Sequence, residues 1–179
     1  MRIIAGKLGG RLFESPRTAR THPMSDRARG GLFATLGDIT GLTVLDAFAG
    51  SGALSFEAIS RGAQSAVAID LDKNAYRTIV ENIARLGLDE EVSATRRQAG
   101  SWATGHTDSF FDIVLCDPPY NDLRRDILQK LVYRTKPGGV FVLSWPGHEA
   151  MPEFKQASPI RQKSYGDLQL VYYRRDADF

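Results

Sequence analysis

The apolar positions of this chain follow two periodicities that divide its central part into strands and helices. Short, nearly continuous apolar runs are typical of strands buried on both faces of a sheet, and they occur at residues 43–47, 65–69, 92–96, 112–116 and 139–144. Amphipathic stretches between these runs predict helices at residues 53–61, 73–86 and 122–134. Strands that alternate with helices predict an α/β fold, in which a mostly parallel sheet carries helices on both faces.

Residues 1–40 do not follow this alternation. Two short apolar runs, at 2–4 and 11–13, flank a glycine-rich segment and predict a small hairpin. A loop with two prolines follows. Ser25 can then cap a helix in which apolar side chains recur every four residues, and that helix should end near Gly37.

The carboxyl-terminal part also departs from the alternation. Residues 160–164 and 168–174 are strand-like runs joined by Tyr165-Gly166-Asp167, so we expect the sheet to close with a hairpin. The pattern as a whole predicts one domain over 1–179, with a core at 41–175 and an N-terminal extension at 1–40.

A glycine turn after the first predicted strand is the first feature that indicates chemistry. Glycine lets the backbone approach a ligand closely, and the N-terminus of the helix that follows favours polar or negative ligand groups. Ser55 stands where a dinucleotide-binding turn has its third glycine, so a smaller ligand without a pyrophosphate fits better. The residues that we expect to contact this ligand are Asp46, Phe48, Ala49, Gly50, Ser51 and Gly52.

The ends of the next two strands extend this predicted site. Asp70 ends the second strand, eighteen residues past Gly52, and an acid in that position can bind both hydroxyls of a ribose. An adenosine-type ligand is therefore expected, although an ordinary surface aspartate is the alternative. Gln98 and Ala99 follow the third strand, where an adenine edge could be read or where Gln98 could simply be solvated.

The strongest motif follows the fourth strand and consists of Asp117, Pro118, Pro119 and Tyr120. Ligands of open parallel sheets bind at this edge. The prolines fix φ and remove two backbone donors, so the acid and the aromatic ring are held in a fixed relation. A plain proline turn after a strand is the alternative.

This motif suits methyl transfer to an aromatic amine, whose lone pair is delocalised into its ring. A carboxylate and a backbone carbonyl can accept the two N–H bonds of the amine and orient it, and such positioning can be worth roughly 7–11 kcal/mol. The ring of Tyr120 can stack on the target base. The neighbouring Cys116 is interpreted as a small buried hydrophobic residue and not as a nucleophile.

Composition restricts the setting of this chemistry. The 179 residues include 42% hydrophobic and 25% charged residues, as in an ordinary globular domain. The single cysteine cannot form a disulfide within the chain, which favours a reducing compartment. No apolar stretch approaches the length of a membrane span and no targeting segment is visible. We therefore expect a cytoplasmic protein.

Positive charge is concentrated near the N-terminus, where residues 1–31 hold seven basic and two acidic side chains. Such a basic arm suggests a polyanionic partner, although a solvated, flexible arm is the alternative. We expect three of its arginines, Arg11, Arg27 and Arg29, to contact RNA.

The glycine turn, Asp70 and the Asp-Pro-Pro-Tyr motif resemble those of class I S-adenosylmethionine-dependent methyltransferases that modify amino groups. The N-terminal segments narrow this resemblance. They are similar to the opening of the RsmD family, whose members methylate N2 of a guanine in small-subunit ribosomal RNA. The segments that carry the similarity are residues 1–7, Gly10-Arg11, residues 22–29, Leu32-Phe33 and, near the other end, residues 165–167 with Tyr172-Tyr173.

The resemblance implies a Rossmann-like class I methyltransferase fold, with seven strands and an antiparallel last strand. It also implies a hairpin and a helix at the N-terminus that cover the cofactor and meet RNA. The turn 50–52 would lie by the methionine part of the cofactor, Asp70 would hold the ribose, and Leu71 would lie against the adenine. Asp117, Pro118 and Tyr120 would hold the guanine.

The partner that the resemblance implies is ribosomal RNA or an assembling small ribosomal subunit. We expect no membrane partner, no metal and a monomer. Two positions depart from the family pattern. His22-Pro23-Met24 replaces an Arg-Pro-Thr run, and Gly30 replaces a glutamate. The resemblance therefore leaves undetermined which contacts the N-terminal hairpin and helix make and which nucleotide is methylated.

Three other functions compete with this interpretation. A DNA adenine-N6 methyltransferase would carry the same catalytic loop but usually has a separate recognition domain. A non-catalytic RNA-binding module would not need the glycines, Asp70 and Asp117, which are all present. A nicotinamide oxidoreductase is opposed by the missing third glycine.

Overall fold

The computed structural model describes residues 1–17 and 23–177 and contains a seven-stranded sheet with the order β3-β2-β1-β4-β5-β7-β6. The strands are β1 (Thr43–Asp46), β2 (Ser65–Asp70), β3 (Val92–Arg96), β4 (Phe111–Cys116), β5 (Thr135–Pro146), β6 (Ala157–Tyr165) and β7 (Leu168–Arg175). The helices are α1 (Asp26–Leu36), α2 (Ala53–Ser60), α3 (Lys73–Leu86), α4 (Ala99–Gly105) and α5 (Arg125–Val132). The last strand, β7, is antiparallel to both of its neighbours, which confirms the predicted fold class.

The helices cover both faces of the sheet because the strands are apolar on both sides. On one face Leu32 of α1, Phe56 of α2 and Ile79 of α3 pack against the sheet in one core cluster. On the opposite face Trp102 of α4 and Leu128 of α5 form a second cluster. Strand residues alternate between the two clusters, which explains the nearly continuous apolar runs.

One helix was not predicted, and several boundaries differ from the predicted ones, including the start of β6 at Ala157 and not at residue 160. Helix α4 was not predicted because it has only seven residues, two of them glycines. Helix α5 begins at Arg125 and not at residue 122. Strand β5 begins at Thr135 and runs through a segment predicted as a turn, because the register against β4 shifts there and Gly138 takes a φ of 76°. The turn is therefore a bulge within the strand.

The predicted N-terminal hairpin is present and short. Arg2 and Leu12 form an isolated antiparallel bridge. The amide of Ile3 donates to the Arg11 carbonyl at 3.0 Å, and the amide of Phe13 donates to the Met1 carbonyl at 3.0 Å. A hairpin with so few bonds is not stable by itself, so it depends on the helix beneath it.

The buried carboxylate of Glu57 in α2 attaches this hairpin to the core. It accepts the amides of Ile4 at 2.8 Å and Ala5 at 3.1 Å, and it also accepts Nε of Arg61 at 2.8 Å. One turn later, the Ser60 carbonyl accepts the amide of Lys7 at 2.7 Å. The hairpin is thus held on the helix that begins directly after the glycine turn.

Among the residues that the structure describes, no helix combines the length and the apolar character that a bilayer crossing requires.

Gly6 is the point of closest approach between hairpin and helix, and we predict that Gly6→Ala lowers the free energy of unfolding by about 2–4 kcal/mol. A Cβ there would lie 1.9 Å from the Ser60 carbonyl oxygen. Gly10→Ala is the matched control, because Gly10 has the same φ of 84° but a Cβ at that position would have nothing within 4 Å. It should lose only the backbone strain of about 1–2 kcal/mol. Equal losses in urea unfolding would contradict the close contact.

Candidate active site

Three carboxylates meet at one edge of the sheet. Asp46 is the last residue of β1, Asp70 is the last residue of β2, and Asp117 directly follows β4. Strand β1 pairs in parallel with both β2 and β4, so the carboxyl ends of these strands lie side by side. The chain order of the strands reverses between β1 and β4, which is where open parallel sheets form their binding crevice.

The glycine turn between β1 and α2 is both tight and open. Gly50 and Gly52 take φ values of 56° and 84°, which other residues rarely adopt. A Cβ on Gly52 would lie 2.6 Å from the Phe56 ring, whereas a Cβ on Gly50 would have nothing within 4 Å. Gly52 is therefore required for packing, and the backbone at Gly50 is accessible to a ligand.

Asp46 is fully buried, and only one of its two carboxylate oxygens accepts hydrogen bonds from the described residues. Its Oδ2 accepts the Ser55 amide at 3.2 Å and the Ser55 hydroxyl at 2.8 Å, whereas its Oδ1 has no hydrogen-bond partner among the described residues. Burial raises the pKa of Asp46 to about 7, and the negative charges of Asp117 and Asp70 contribute to that rise. The serine that replaces the third glycine thus fixes this carboxylate, a role that the sequence interpretation missed.

Asp70 holds the glycine turn from the neighbouring strand. Its Oδ2 accepts the Gly50 amide at 2.8 Å, and its Oδ1 accepts the Asp72 amide at 2.8 Å. Burial raises its pKa. The next residue, Leu71, leaves 61% of its surface exposed, so an apolar side chain faces solvent directly beside this acid.

Gln98 caps helix α4. Its Oε1 accepts the Ser101 amide at 2.6 Å, and Ala99 is buried. The side-chain oxygen of Gln98 therefore has a structural task, and contact of this pair with an adenine stays a prediction. Of the other residues predicted near the cofactor, Ala49 and Ser51 are buried and Phe48 is half-buried.

The motif after β4 forms a partly exposed corner. Pro118 is buried, Pro119 is exposed, and Tyr120 leaves 41% of its surface exposed. Burial raises the pKa of the Asp117 carboxyl to about 6, and hydrogen bonding by the Ser144 hydroxyl opposes that rise. Cys116 lies buried, and burial raises the pKa of its thiol, so a reactive thiolate is not favoured.

Ser144 is a site residue that the sequence did not reveal. It is buried in β5, and its Oγ lies 2.7 Å from the Tyr120 hydroxyl. One hydroxyl thus interacts with both side chains of the corner, Asp117 and Tyr120. A serine near the end of an apolar strand carries no recognisable signal, because its partners belong to another loop.

Asn82 is a second residue that was missed. It is buried in α3, where its Nδ2 donates to the Glu14 carbonyl at 2.9 Å and to the Ser51 carbonyl at 3.3 Å. Its Oδ1 accepts the Glu14 amide at 2.9 Å. This amide joins the N-terminal extension to the glycine turn. A polar residue on the buried face of an amphipathic helix was the available signal.

Several basic side chains of the N-terminal arm bind other parts of the protein. Arg29 is 1% exposed and donates to the Arg2 carbonyl at 2.7 Å and to Asp26 at 2.9 Å, so the prediction that Arg29 contacts RNA is wrong for this structure. Arg11 donates to the carbonyls of Arg85 and Leu86 at the end of α3.

Of the three predicted RNA contacts, Arg27 is therefore the one whose exposed side chain is not engaged by another described residue. His22, which departs from the family pattern, lies outside the described residues. Within residues 1–17 and 23–177, no three or more histidine, cysteine or acidic side chains are grouped as they would be to hold a metal ion.

A family model described as "Conserved hypothetical protein 95" matches residues 1–174. The chain belongs to this family. A relative from Escherichia coli (strain K12), named ribosomal RNA small subunit methyltransferase D, is 30% identical over 99% of this chain and 91% of its own length. A relative from Bacillus subtilis (strain 168), named "Putative rRNA methyltransferase YlbH", is 28% identical over 98% and 99%.

The fold of this member of the conserved hypothetical protein 95 family also matches a solved structure. The "Putative methyltransferase yhhF" of Escherichia coli superposes with a TM-score of 0.88 at 28% identity, over 99% of both chains. The family resemblance noted from the sequence is thereby confirmed.

We predict that the Tyr120–Ser144 bond contributes about 0.5–1.5 kcal/mol of coupling to the free energy of unfolding. Tyr120→Phe, Ser144→Ala and the double variant would be compared in urea unfolding. The double variant should lose less than the sum of the single losses, because both single changes remove the same bond. Tyr165→Phe with Ser144→Ala is the control pair and should be additive within about 0.3–0.5 kcal/mol. Additivity of the first pair would disprove the bond.

The raised pKa values of Asp46 and Asp117, about 7 and about 6, predict a pH dependence of stability. At mildly acidic pH the folded protein holds protons that the unfolded chain has released, so these groups make unfolding harder as pH falls from about 8 to about 5. Asp117→Asn should reduce that difference in unfolding free energy relative to the wild type. Asp122→Asn, at an exposed position of the same loop, should not. An unaltered pH dependence in Asp117→Asn would contradict the raised pKa.

Proposed function

We propose that this chain transfers a methyl group from S-adenosylmethionine to the exocyclic N2 amine of a guanine in small-subunit ribosomal RNA. The observation that carries the proposal is the rigid corner of Asp117 and Tyr120, which stands at the same sheet edge as the glycine turn and Asp70. The name of the Escherichia coli relative, which is 30% identical over nearly the whole chain, supports ribosomal RNA as the substrate.

The residues at the crevice fit this cofactor. Oδ1 of Asp46 is a buried acceptor without a partner among the described residues, which suits a positively charged amino group. Both oxygens of Asp70 keep accepting capacity beyond one amide each, which suits the hydroxyls of a ribose, and the exposed Leu71 offers an apolar surface for the adenine. The open backbone at Gly50 leaves room for the remainder. When bound, the cofactor supplies an electrophilic methyl group.

Asp117 and the Pro118 carbonyl orient the target amine. The carboxylate accepts one N–H and the carbonyl accepts the other, which directs the amine lone pair towards the methyl group. Holding two reacting groups in this way can contribute roughly 7–11 kcal/mol. With a pKa of about 6, Asp117 is mostly ionised at neutral pH and still basic enough to take the proton that the methylated amine must lose.

Tyr120 holds the target base in place. Its half-exposed ring is available for stacking, which is worth about 1–3 kcal/mol per base, while extruding a base from its stack costs a few kcal/mol. Because Ser144 fixes the hydroxyl, the ring is oriented before RNA arrives. The proposed partner is ribosomal RNA, naked or within an assembling small subunit, and the proposed setting is a monomer in the cytoplasm.

The test is methyl transfer by the purified protein from radiolabelled S-adenosylmethionine to unmodified small-subunit RNA, to partly assembled subunits and to DNA of matching sequence. Nucleoside mass spectrometry should find N2-methylguanosine in an RNA substrate. Label only in DNA, as N6-methyladenine, would establish the competing enzyme. Cofactor binding without any product, or no cofactor binding by calorimetry, would reject the proposed reaction.

We predict that Asp117→Ala lowers turnover by at least about 10²-fold, in the range for loss of a group that acts on a proton in the reaction. Its affinity for the cofactor should stay within a few-fold, because its partner is the base. Asp122→Ala, an exposed change in the same loop, is the control and should retain wild-type turnover. Near-normal methylation by Asp117→Ala would refute the role given to this acid.

A further inference from the structure

The proposed substrate carries a phosphate backbone, yet three arginines of the N-terminal arm bind other parts of the protein. Arg2 pairs with Asp26, Arg11 is bonded to the end of α3, and Arg29 is buried. Cations outside the arm are therefore further candidates for contact with RNA phosphates. The inference that they bind RNA rests on the proposed function and extends it.

Strand β6 presents basic side chains on one face. Arg161, Lys163 and Tyr165 alternate along it and stand opposite Tyr172, Leu170 and Leu168 of β7. Tyr172 and Leu170 belong to the core cluster beneath α1, so these three β6 side chains lie on the face of the sheet that α1 covers. Strand β6 contains no acidic residue.

Helix α1 continues this row of cations. A Cβ on Gly31 would lie 2.0 Å from the Tyr165 hydroxyl oxygen, so the helix and β6 are in direct contact there. Arg27 precedes Gly31 by four residues and therefore shares its helix face, one turn nearer the N-terminus. We name Arg27, Arg161 and Lys163 together the cationic stripe.

The cationic stripe is free of neutralising acids among the described residues. Arg27 and Arg161 are exposed and Lys163 is half-buried, and none of them takes part in the ion pairs found in the described ranges. Arg2, Arg11 and Arg29 of the arm, in contrast, direct their charge at Asp26 and at backbone carbonyls of the protein. The stripe therefore offers positive charge to an external anion.

The stripe also lies close to the catalytic corner. Lys163 stands opposite Leu170, and Leu170 stands opposite Ser144. Two strand spacings, about 10 Å, thus separate the backbones of Lys163 and Ser144 on the same face of the sheet. Ser144 binds the Tyr120 hydroxyl, so an anion held by the stripe would belong to nucleotides that neighbour the target base.

We propose that the cationic stripe binds phosphates of the RNA strand that flank the methylated guanine. Side chains that contact phosphates position a nucleic acid without reading its sequence. Each phosphate contact also releases a counterion, so it adds to the salt dependence of binding by about 0.7–0.9 in the log–log slope.

The test compares two doubly substituted proteins that lose the same charge. Arg161→Gln with Lys163→Gln removes two cations of the stripe, and Lys130→Gln with Lys155→Gln removes two exposed lysines elsewhere. Binding of small-subunit RNA fragments is measured by fluorescence anisotropy over a range of salt concentrations. The stripe variant should show a log–log slope smaller by about 1.4–1.8, with about 0.7–0.9 further lost on adding Arg27→Gln. The control should keep the wild-type slope.

Kinetics separate binding from chemistry. The stripe variant should raise KM for RNA by about tenfold or more while kcat at saturating RNA stays near that of the wild type, as expected for lost uniform binding. The charge-conserving variant, Arg161→Lys with Lys163→Arg, should restore the slope. An unchanged slope in the stripe variant, equal changes in both doubles, or stripe-dependent binding of phosphatidylserine vesicles in place of RNA would overturn the inference. Absence of methylation by the wild type would reject the proposed function instead, since the binding slopes are measured without turnover.

Discussion

Two carboxylates, the buried Asp46 and the half-buried Asp70, hold the glycine turn, and the geometry of the site depends on them. Asp46 binds the amide and the hydroxyl of Ser55 at the start of α2, and Asp70 binds the amide of Gly50 from the next strand. Burial favours the neutral form of each acid and raises the pKa of both. A cationic ligand would favour the charged form again. The glycine turn is therefore held by two carboxylates that can also bind a positively charged ligand group.

Much of this arrangement could be predicted because it depends on the order of residues within single segments of the chain. Apolar runs locate the strands, a parallel sheet brings their carboxyl ends to one edge, and the acids at those ends are read directly from the order of residues. What could not be predicted depends on contacts between distant segments. Tyr120 meets Ser144 and Glu14 meets Asn82, and neither serine nor asparagine shows by its neighbours that such a partner exists. Helix α4 was missed for a local reason, since its seven residues are too few to establish a helical period.

The basic arm shows why a count of charges is a poor guide to a binding surface. Arg29 is among the largest fully buried side chains of the described structure, and backbone carbonyls and Asp26 satisfy much of its guanidinium. Such an arginine belongs to the fold and is withdrawn from RNA. Two cations of β6, in contrast, had no distinctive pattern in the sequence. Their proposed role in binding phosphates can be inferred only from the pairing of strands, which places them beside α1 and near Ser144.

The attachment of the hairpin through Glu57 has a consequence for how the protein can be divided. The carboxylate of Glu57 is fully buried and accepts the amides of Ile4 and Ala5 of the hairpin. Deleting residues 1–13 would expose that acid, and the side of α2 that the hairpin covers, to water. Since Gly52 of the glycine turn is the N-cap residue of α2, the loss of order would reach that turn. The hairpin is thus not a detachable recognition module, and its grafting onto another methyltransferase would require the helix beneath it to travel with it.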